Sequence, residues 1–382
     1  MKILVFAANL HKGGAIQAAL SFTKEAYVKG GEHQWMFVLS PEISSQLGEI
    51  EVPNIKKVVL KRPKNIVAQI ALHTAHMFDI EREFSPDVSF SIFGPPYWFP
   101  RSSHVCGFAL GWMIFDDSPV WDRLKLRQYL SRKIKNRALA NFFSRKWNYI
   151  VETEEARQRL ISKLRINPAK VRVIHNGASS YFYNFCDDEK RLSYSNDGFR
   201  FLVLSADYMH KNLDFVPEVI HSLAEKTNER FEFLLTLNSS SWERIRLKSQ
   251  HLSVSNYIKN MGPLTVEAAA FQMNRCNAVF MPSLLETFSA TYPETMVIGK
   301  PILASDLPFA RDICKDAAVY FDPLCSESAA NACCRVMTDN ILYELCVTKG
   351  MDIAKQYPNP SQKFHKTLEA LCSFPSLGFS QS

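Results

Sequence analysis

The chain reads as an α/β protein made of two doubly wound halves. Three observations point there. Short apolar runs of strand length alternate with amphipathic stretches of helix length along most of the chain. The alternation is broken once, by a polar and irregular stretch at 181–198 that ends Tyr194-Ser195-Asn196-Asp197-Gly198, and then it starts again. The length of 382 residues also exceeds the roughly 250 that one hydrophobic core usually serves. Apolar residues make up 47% and charged residues 22%, which supplies two cores and excludes a disordered chain.

The first half opens with a strand at 2–7, a turn at Gly13-Gly14 and a helix near 15–29. Strands follow near 34–39 and 57–60, then a helix near 64–83 and strands at 87–92 and 104–110. Ile150–Thr153 and Val171–Ile174 close this half. The second half restarts with strand 199–204 and a helix near 212–226. Strand 231–237, a short strand at 257–258, helix 265–275 and the apolar strand 278–281 come next. Helix 290–299 and strands 301–304 and 318–321 follow, with helices to the end. The expected domains are therefore 1–180 and 199–360, joined by a linker at 181–198. Residues 361–382 are expected to form a closing helix that crosses back to the first domain, and a tail. Alternating short strands and helices indicate parallel sheets, which take ligands beyond the carboxyl ends of their strands.

The formal net charge of +7 is unevenly spread. Residues 1–176 hold 26 Lys/Arg and 15 Asp/Glu, giving +11, while 177–382 carry −4. No zinc-finger spacing, RNP-like aromatic motif or basic tail accompanies the charge, so nucleic acid is not expected as a partner. Positive charge is densest in 120–147, with nine Lys/Arg against Asp122 alone. There Leu126, Leu130, Ile134, Ala138 and Phe142 recur every four positions. This stretch is either a helix docking on an anionic membrane or a phosphorylated acceptor, or a domain helix whose apolar stripe faces its own core. Uncharged stretches such as 88–100 and 102–115 fall short of the roughly 18 residues a membrane span needs. Met1-Lys2 leads straight into a strand-length run, so no signal peptide is expected. The nine cysteines are scattered, without a CxxC, which fits a reducing cytoplasm.

The most informative stretch is Pro282-Ser283-Leu284-Leu285-Glu286-Thr287-Phe288-Ser289-Ala290-Thr291-Tyr292-Pro293-Glu294. It follows the buried strand 278–281 and enters a helix whose first turn suits Pro293. Gly299 and Pro301 mark the helix stop. Two carboxylates thus lie close in sequence, Glu286 on a loop and Glu294 in a first helical turn. Carboxylates accept hydrogen bonds from vicinal hydroxyls, and a helix start offers free N–H groups to a phosphate.

This block resembles the Glu-x7-Glu signature of retaining glycosyltransferases of family 4, which have the GT-B fold of two Rossmann-like domains facing each other across a cleft. Other blocks match in order: Gly13-Gly14 after the first strand, Val173–Gly177, His210-Lys211-Asn212, Met261-Gly262-Pro263-Leu264, Gly299–Asp306 and Ala317–Pro323. The resemblance covers essentially the whole chain and is strongest in 199–325. It implies transfer of a sugar from a nucleotide-diphosphate donor, UDP- or GDP-linked, to a hydroxyl acceptor with retention. Together with the basic first half and the absence of an expected membrane span, it points to a lipid-linked or surface-polysaccharide precursor, of O-antigen or capsule type, as the acceptor. It further implies that Glu294 bonds the ribose and Glu286 the donor sugar, and that Lys211 neutralises the departing diphosphate. Backbone amides of Phe288, Ser289 and Ala290 would bind sugar and diphosphate. Gly13, Gly14, Asn212, Gly262 and Leu264 would line the donor site. Lys211 and Glu286 are the catalytic candidates, while Arg101 and His104 are candidates for the acceptor side. The expected localisation is cytoplasmic, at the inner face of the membrane.

Two positions depart from the family. No arginine precedes Lys211 in Ser205–His210, and Phe288-Ser289-Ala290 replaces the usual Phe-Gly-Leu. The second phosphate cation must then come from elsewhere, His210 or a first-domain arginine. A nicotinamide dehydrogenase would need G-x-G-x-x-G where Asn9–Ala15 stands, and a metal-dependent glycosyltransferase would need Asp-x-Asp, which the sequence lacks. No metal or cofactor is expected. A non-catalytic homologue serving as a partner subunit and a GT-B sugar-nucleotide epimerase share the architecture. The presence of both glutamates and the lysine favours the transferase.

Overall fold

A computed structural model describes residues 1–48, 51–61, 66–185 and 198–374. They form two compact units. The first comprises Met1–Asp116, Leu124–His175 and the residues from Pro360 on; the second comprises Asp117–Arg123 and Asn176–Asn359.

The first unit holds seven parallel strands: β1 Lys2–Ala7, β2 Gln34–Leu39, β3 Ile55–Val59, β4 Val88–Ser91, β5 Ser103–Gly107, β6 Asn148–Val151 and β7 Val171–Val173. Their spatial order is β3-β2-β1-β4-β5-β6-β7. Order therefore reverses between β1 and β4, where Val5 lies opposite Phe37 on one side and Phe90 on the other. Side chains alternate across the sheet, so β1 feeds two cores. Ile3 and Val5 pack with Trp35, Phe37 and Phe90 on one face. Leu4 and Phe6 pack with Val38, Met77 and Trp98 on the other. Helix Pro360–Ser373 closes the first face by setting Phe364 against Phe22 and Trp35. Lys363 pairs there with the buried Glu152 at 3.2 Å.

The second unit holds six parallel strands: β8 Phe199–Val203, β9 Phe231–Leu235, β10 Ile258–Asn260, β11 Ala278–Met281, β12 Ile302–Ser305 and β13 Ala318–Phe321. Their order is β10-β9-β8-β11-β12-β13, with the reversal between β8 and β11. Phenylalanines make its core: Phe201 stacks on Phe233 at 4.7 Å, and Phe280 on Phe321 at 4.9 Å.

The unit boundary differs from the sequence reading at two places. Asp117–Arg123 belongs to the second unit because Ser118 Oγ donates to Leu284 O at 2.6 Å and Val120 is fully buried. At the expected linker, Ser180–Phe185 is a 3₁₀ turn that packs its buried Phe182 side against helices Val266–Arg275 and Thr291–Ile298. Residues 186–197, most of the expected linker, lie outside the described residues. So does the tail from 375 on. Among the described residues no helix is long and apolar enough to cross a membrane.

Candidate active site

In the second unit the loops that follow β8 and β11 meet at the point where strand order reverses, the usual ligand crevice of an open parallel sheet. Leu284 N–H donates to His210 O at 2.7 Å and ties the two loops together. After β8 the chain makes a 3₁₀ turn, Met209–Lys211, and leaves it through Asn212 at φ 54°. Asn212 tolerates that left-handed backbone better than most residues, and its Nδ2 is anchored on Pro323 O at 3.0 Å. Its side-chain donor is thus occupied by the fold, which leaves its part in donor binding to the backbone. The turn presents Lys211 to the loop after β11, where Nζ lies 2.5 Å from Glu286 Oε1. Both side chains are nearly buried, at 16% and 9% exposure. Glu286 Oε1 takes no well-aligned hydrogen bond, so the attraction is Coulombic rather than directional.

Glu286 leads through buried Thr287 and Ser289 into helix Thr291–Ile298. Phe288 packs edge-on against Tyr357 at 6.0 Å and fixes the loop. The helix has no side-chain cap; Tyr292 and Glu294 send their N–H groups to Ser289 O and Ala290 O. Glu294 keeps intermediate surface exposure, yet protein surrounds its carboxyl closely enough that desolvation pushes its pKa up to about 8. The Ser179 N–H donates to that carboxyl and acts in the opposite sense. Beyond β10, Gly262 stands at φ 76°, a conformation that needs glycine, and Leu264 is half-buried. Two strand positions separate β10 from the Lys211–Glu286 pair.

Where a phosphate-binding arginine was sought, the chain carries Asp207. Arg244, from helix Ser239–His251, holds it at 2.9 Å and Asp214 at 2.8 Å. His210 stacks flat on Tyr208 at 5.5 Å.

In the first unit the glycine requirement falls on Gly13, at φ 67°, which precedes helix Gly14–Lys29. A Cβ on Gly14 would meet nothing within 4 Å, so Gly14 leaves open space at the carboxyl end of β1. Two expected acceptor-side residues are corrected. His104 is a core residue: it is 0% exposed, its Nδ1 is 2.8 Å from Ser89 Oγ, and Trp147 packs on its ring at 4.7 Å. Burial drives its pKa down to about 3. Arg101 precedes β5 and so lies at the amino edge of the sheet, opposite Gly13 and Gly14. Its guanidinium sits over Phe78 at 5.7 Å.

Sequence reasoning passed over His11 and His73. His11 lies in the loop between β1 and Gly13, with Nδ1 3.0 Å from Glu42 Oε2. His73 occupies the inward face of helix Ile66–Phe84 with Met77 and Phe84. The signal was available: positions 73, 77 and 84 share one helical face, and His11 sits where a doubly wound sheet takes its ligand. Among the described residues no group of three or more His, Cys, Asp or Glu is placed to hold a metal ion.

Solved structures of similar fold cover nearly the whole chain. Sucrose-phosphate synthase from Thermosynechococcus elongatus matches with a TM-score of 0.75 at 13% identity, over 97% of this chain and 98% of that one. HepE from Anabaena, in complex with UDP and glucose, matches with a TM-score of 0.70 at 16% identity, over 98% and 100%. WaaG, a glycosyltransferase involved in lipopolysaccharide biosynthesis, matches with a TM-score of 0.70 at 12% identity, over 98% and 100%. Curated proteins gave no match to the sequence. Residues 187–351 match the family model of glycosyl transferases group 1. The chain therefore has the GT-B fold, two Rossmann-like parallel-sheet units, and its second unit carries the match to glycosyl transferases group 1.

Proposed function

We propose that the chain is a metal-independent, retaining glycosyltransferase of family 4 type that moves a hexose from a nucleotide-diphosphate sugar to a hydroxyl. The observation that carries this reading is the Lys211–Glu286 pair, set on the two loops at the strand-order reversal. One cation and one carboxylate at that point are what a sugar diphosphate needs. Lys211 meets the diphosphate, whose charge grows as the glycosidic bond breaks. Glu286, released from Lys211, accepts the sugar's hydroxyl protons. Glu294 takes the ribose hydroxyls, and Gly262 and Leu264 border the base. Among the described residues the amides of Phe288, Ser289 and Ala290 have no acceptor, so they are free for phosphate and sugar oxygens. The acceptor hydroxyl attacks on the face the diphosphate leaves and passes its proton to the departing phosphate oxygen, so positioning with charge stabilisation suffices, without a cofactor. HepE carries UDP, which makes a UDP-sugar the first donor to test, with GDP second.

Calorimetric titration with UDP and with GDP tests the donor site. One of the two binds, and Glu294→Ala weakens it by about tenfold or more, the worth of one or two lost hydrogen bonds. Failure of both nucleotides to bind, or unchanged affinity in the variant, overturns the assignment.

The acceptor side of the same proposal is a lipid-linked or surface-polysaccharide precursor at an anionic membrane, on its cytoplasmic face. Helix Leu126–Ala140 supports it, because its polarity is inverted relative to a core-facing helix. Asn136 donates to Trp112 O, Lys133 pairs with Asp116 at 2.8 Å, and Arg132 lies over the Trp112 ring at 4.5 Å. Polar residues thus fasten the helix to the unit, while Leu126, Leu130 and Ile134 stand 74%, 51% and 70% exposed. Three such side chains entering the headgroup boundary contribute about 1.5–3 kcal/mol each, and each nearby cation about 1 kcal/mol. The protein floats with phosphatidylglycerol vesicles and not with phosphatidylcholine alone. Changing all three residues to glutamine abolishes flotation at little cost to the fold. Wild-type protein that stays in the bottom fraction sinks the membrane role.

A further inference from the structure

Three tyrosine hydroxyls gather near the end of helix Pro308–Cys314 in the second unit, and the fold uses two of them. Tyr357 donates to Ile313 O at 2.8 Å, and Tyr320 donates to Lys315 O at 2.6 Å. The third is Tyr292, in the first turn of helix Thr291–Ile298. Its side chain is 0% exposed, and its hydroxyl has no hydrogen-bond partner among the described residues. It lies within electrostatic reach of Cys314, Glu286 and Tyr320. A second orphan, Glu286 Oε1, belongs to the loop that leads into the same helix. Leaving a buried hydroxyl unpaired costs the whole of its desolvation, and phenylalanine would fill the same space without that cost. An oxygen kept there against this cost calls for a use outside the packing of the free chain.

The two orphans complement each other, since one is a donor and the other an acceptor. Burial, with the Glu286 charge adding to it, keeps the Tyr292 phenol protonated, so it has an O–H to give. In the free chain Glu286 is held by Lys211, whose Nζ lies 2.5 Å from Oε1. A diphosphate competes for that same ammonium. As Lys211 turns toward it, Glu286 loses its cation while only 8% exposed. A nearly buried carboxylate without a partner is costly, so a replacement donor is needed at that moment. A phenol O–H given to a carboxylate makes a short, charge-assisted bond, roughly twice as strong as a neutral one. The Cys314 thiol is also 0% exposed and kept protonated by burial. As a weak acceptor it does not compete with the carboxylate for the phenol.

We infer that Tyr292 is a positioning residue for Glu286: its hydroxyl is a donor held in reserve, and it takes the carboxylate over when Lys211 moves to the diphosphate. The inference rests on the glycosyltransferase reading for the diphosphate, but its main test needs no nucleotide. Thermal midpoints of the free full chain are compared with and without Tyr292→Phe in three backgrounds. In the wild type the substitution removes an orphan hydroxyl, and the midpoint rises by about 2 °C or more. In Lys211→Ala the hydroxyl has already bonded Glu286, so the same substitution lowers the midpoint by at least as much. In Lys211→Ala/Glu286→Ala the partner is gone and the rise returns. A change of one sign in all three backgrounds overturns the proposal, and a fall in all three assigns the hydroxyl to structural water. On the donor side, calorimetry compares UDP with UDP-glucose, UDP-galactose and UDP-N-acetylglucosamine, and GDP with GDP-mannose. Nucleotide affinity in Tyr292→Phe stays within about twofold, because the helix start that carries Glu294 is unchanged. The advantage of the preferred sugar nucleotide over its bare nucleotide falls about tenfold, because Glu286 no longer holds its orientation. A merely structural role would move both affinities together, and an undiminished advantage overturns the take-over. If no sugar nucleotide binds the wild type more tightly than its nucleotide, the donor assignment falls instead, and the three midpoints still decide the pairing of Tyr292 with Glu286.

Discussion

Lys211→Ala lowers kcat by about 10²- to 10³-fold, the usual cost of removing one charge-stabilising group from a preorganised site. The reason lies in the surroundings. Lys211 Nζ is nearly buried, so its field at the departing diphosphate is screened less than that of a surface lysine. The same variant leaves Glu286 nearly buried and without its cation, which costs stability. Removing one partner of a fully buried pair costs about 3–5 kcal/mol; the residual exposure here brings the expectation to about 1–3 kcal/mol. The two losses separate in the double variant Lys211→Ala/Glu286→Gln. It recovers most of the stability by removing the orphaned charge, and it recovers none of the turnover. Lys211→Arg keeps the charge but changes its reach, and regains only part of the rate. Turnover is measured as sugar transfer or donor hydrolysis, and stability by chemical denaturation. Wild-type turnover in Lys211→Ala removes this lysine from the reaction.

The strands that bear this pair were legible because parallel sheets are read from apolar runs. Strands 34–39, 278–281 and 318–321 stand where the sequence put them, each bounded by a polar or glycine turn. Helix Ser239–His251 was not legible: it opens on three serines, and among its residues only Ile245 and Ser249 are buried, so it lacks an apolar stripe. Asn238 caps it, accepting from Ser241 N–H, and Arg244 fastens it to the loop that carries Lys211. Periodicity also left 120–147 open between two readings. It found the apolar stripe of helix Leu126–Ala140 but not its direction, because outward and inward stripes have the same spacing. At the candidate site the motif put Glu286 on a loop and Glu294 in a first helical turn, and the structure has them there. It could not place His104, since a histidine in a strand looks the same whether its ring faces solvent or the core. Nor could it place His73, whose ring lies 5.7 Å from that of Phe6 only because β1 and helix Ile66–Phe84 pack together.

The share of stability that Glu294 contributes falls as pH rises from about 4.5 toward 8, and it is read as the difference between the wild type and Glu294→Gln, which keep the opposing slopes of His73 and His104 in common. The Glu294 carboxyl holds its proton up to about 8 in the folded chain, while an unfolded glutamate gives it up near 4.5. Between those values the unfolded state binds fewer protons than the native state, so the derivative of unfolding free energy with pH is negative. The stabilisation is complete below the unfolded value and gone above the folded one. Its steepest slope is about 1.4 kcal/mol per pH unit, reduced by whatever water reaches the partly exposed side chain. The amide of glutamine stays neutral, so across this window the wild-type denaturation midpoint declines relative to that of the variant. The ligand reverses the preference. Ribose hydroxyls donate to a carboxylate, and a protonated acid offers them fewer acceptor sites. Nucleotide binding at neutral pH therefore releases nearly one proton, and affinity climbs by up to about tenfold per pH unit until it levels off near 8. Calorimetry in buffers of different ionisation enthalpy counts the proton directly. In Glu294→Gln the count goes to zero and the residual affinity no longer depends on pH. If the wild type releases no proton on binding, Glu294 does not meet the ribose, however well it sits in the helix's first turn.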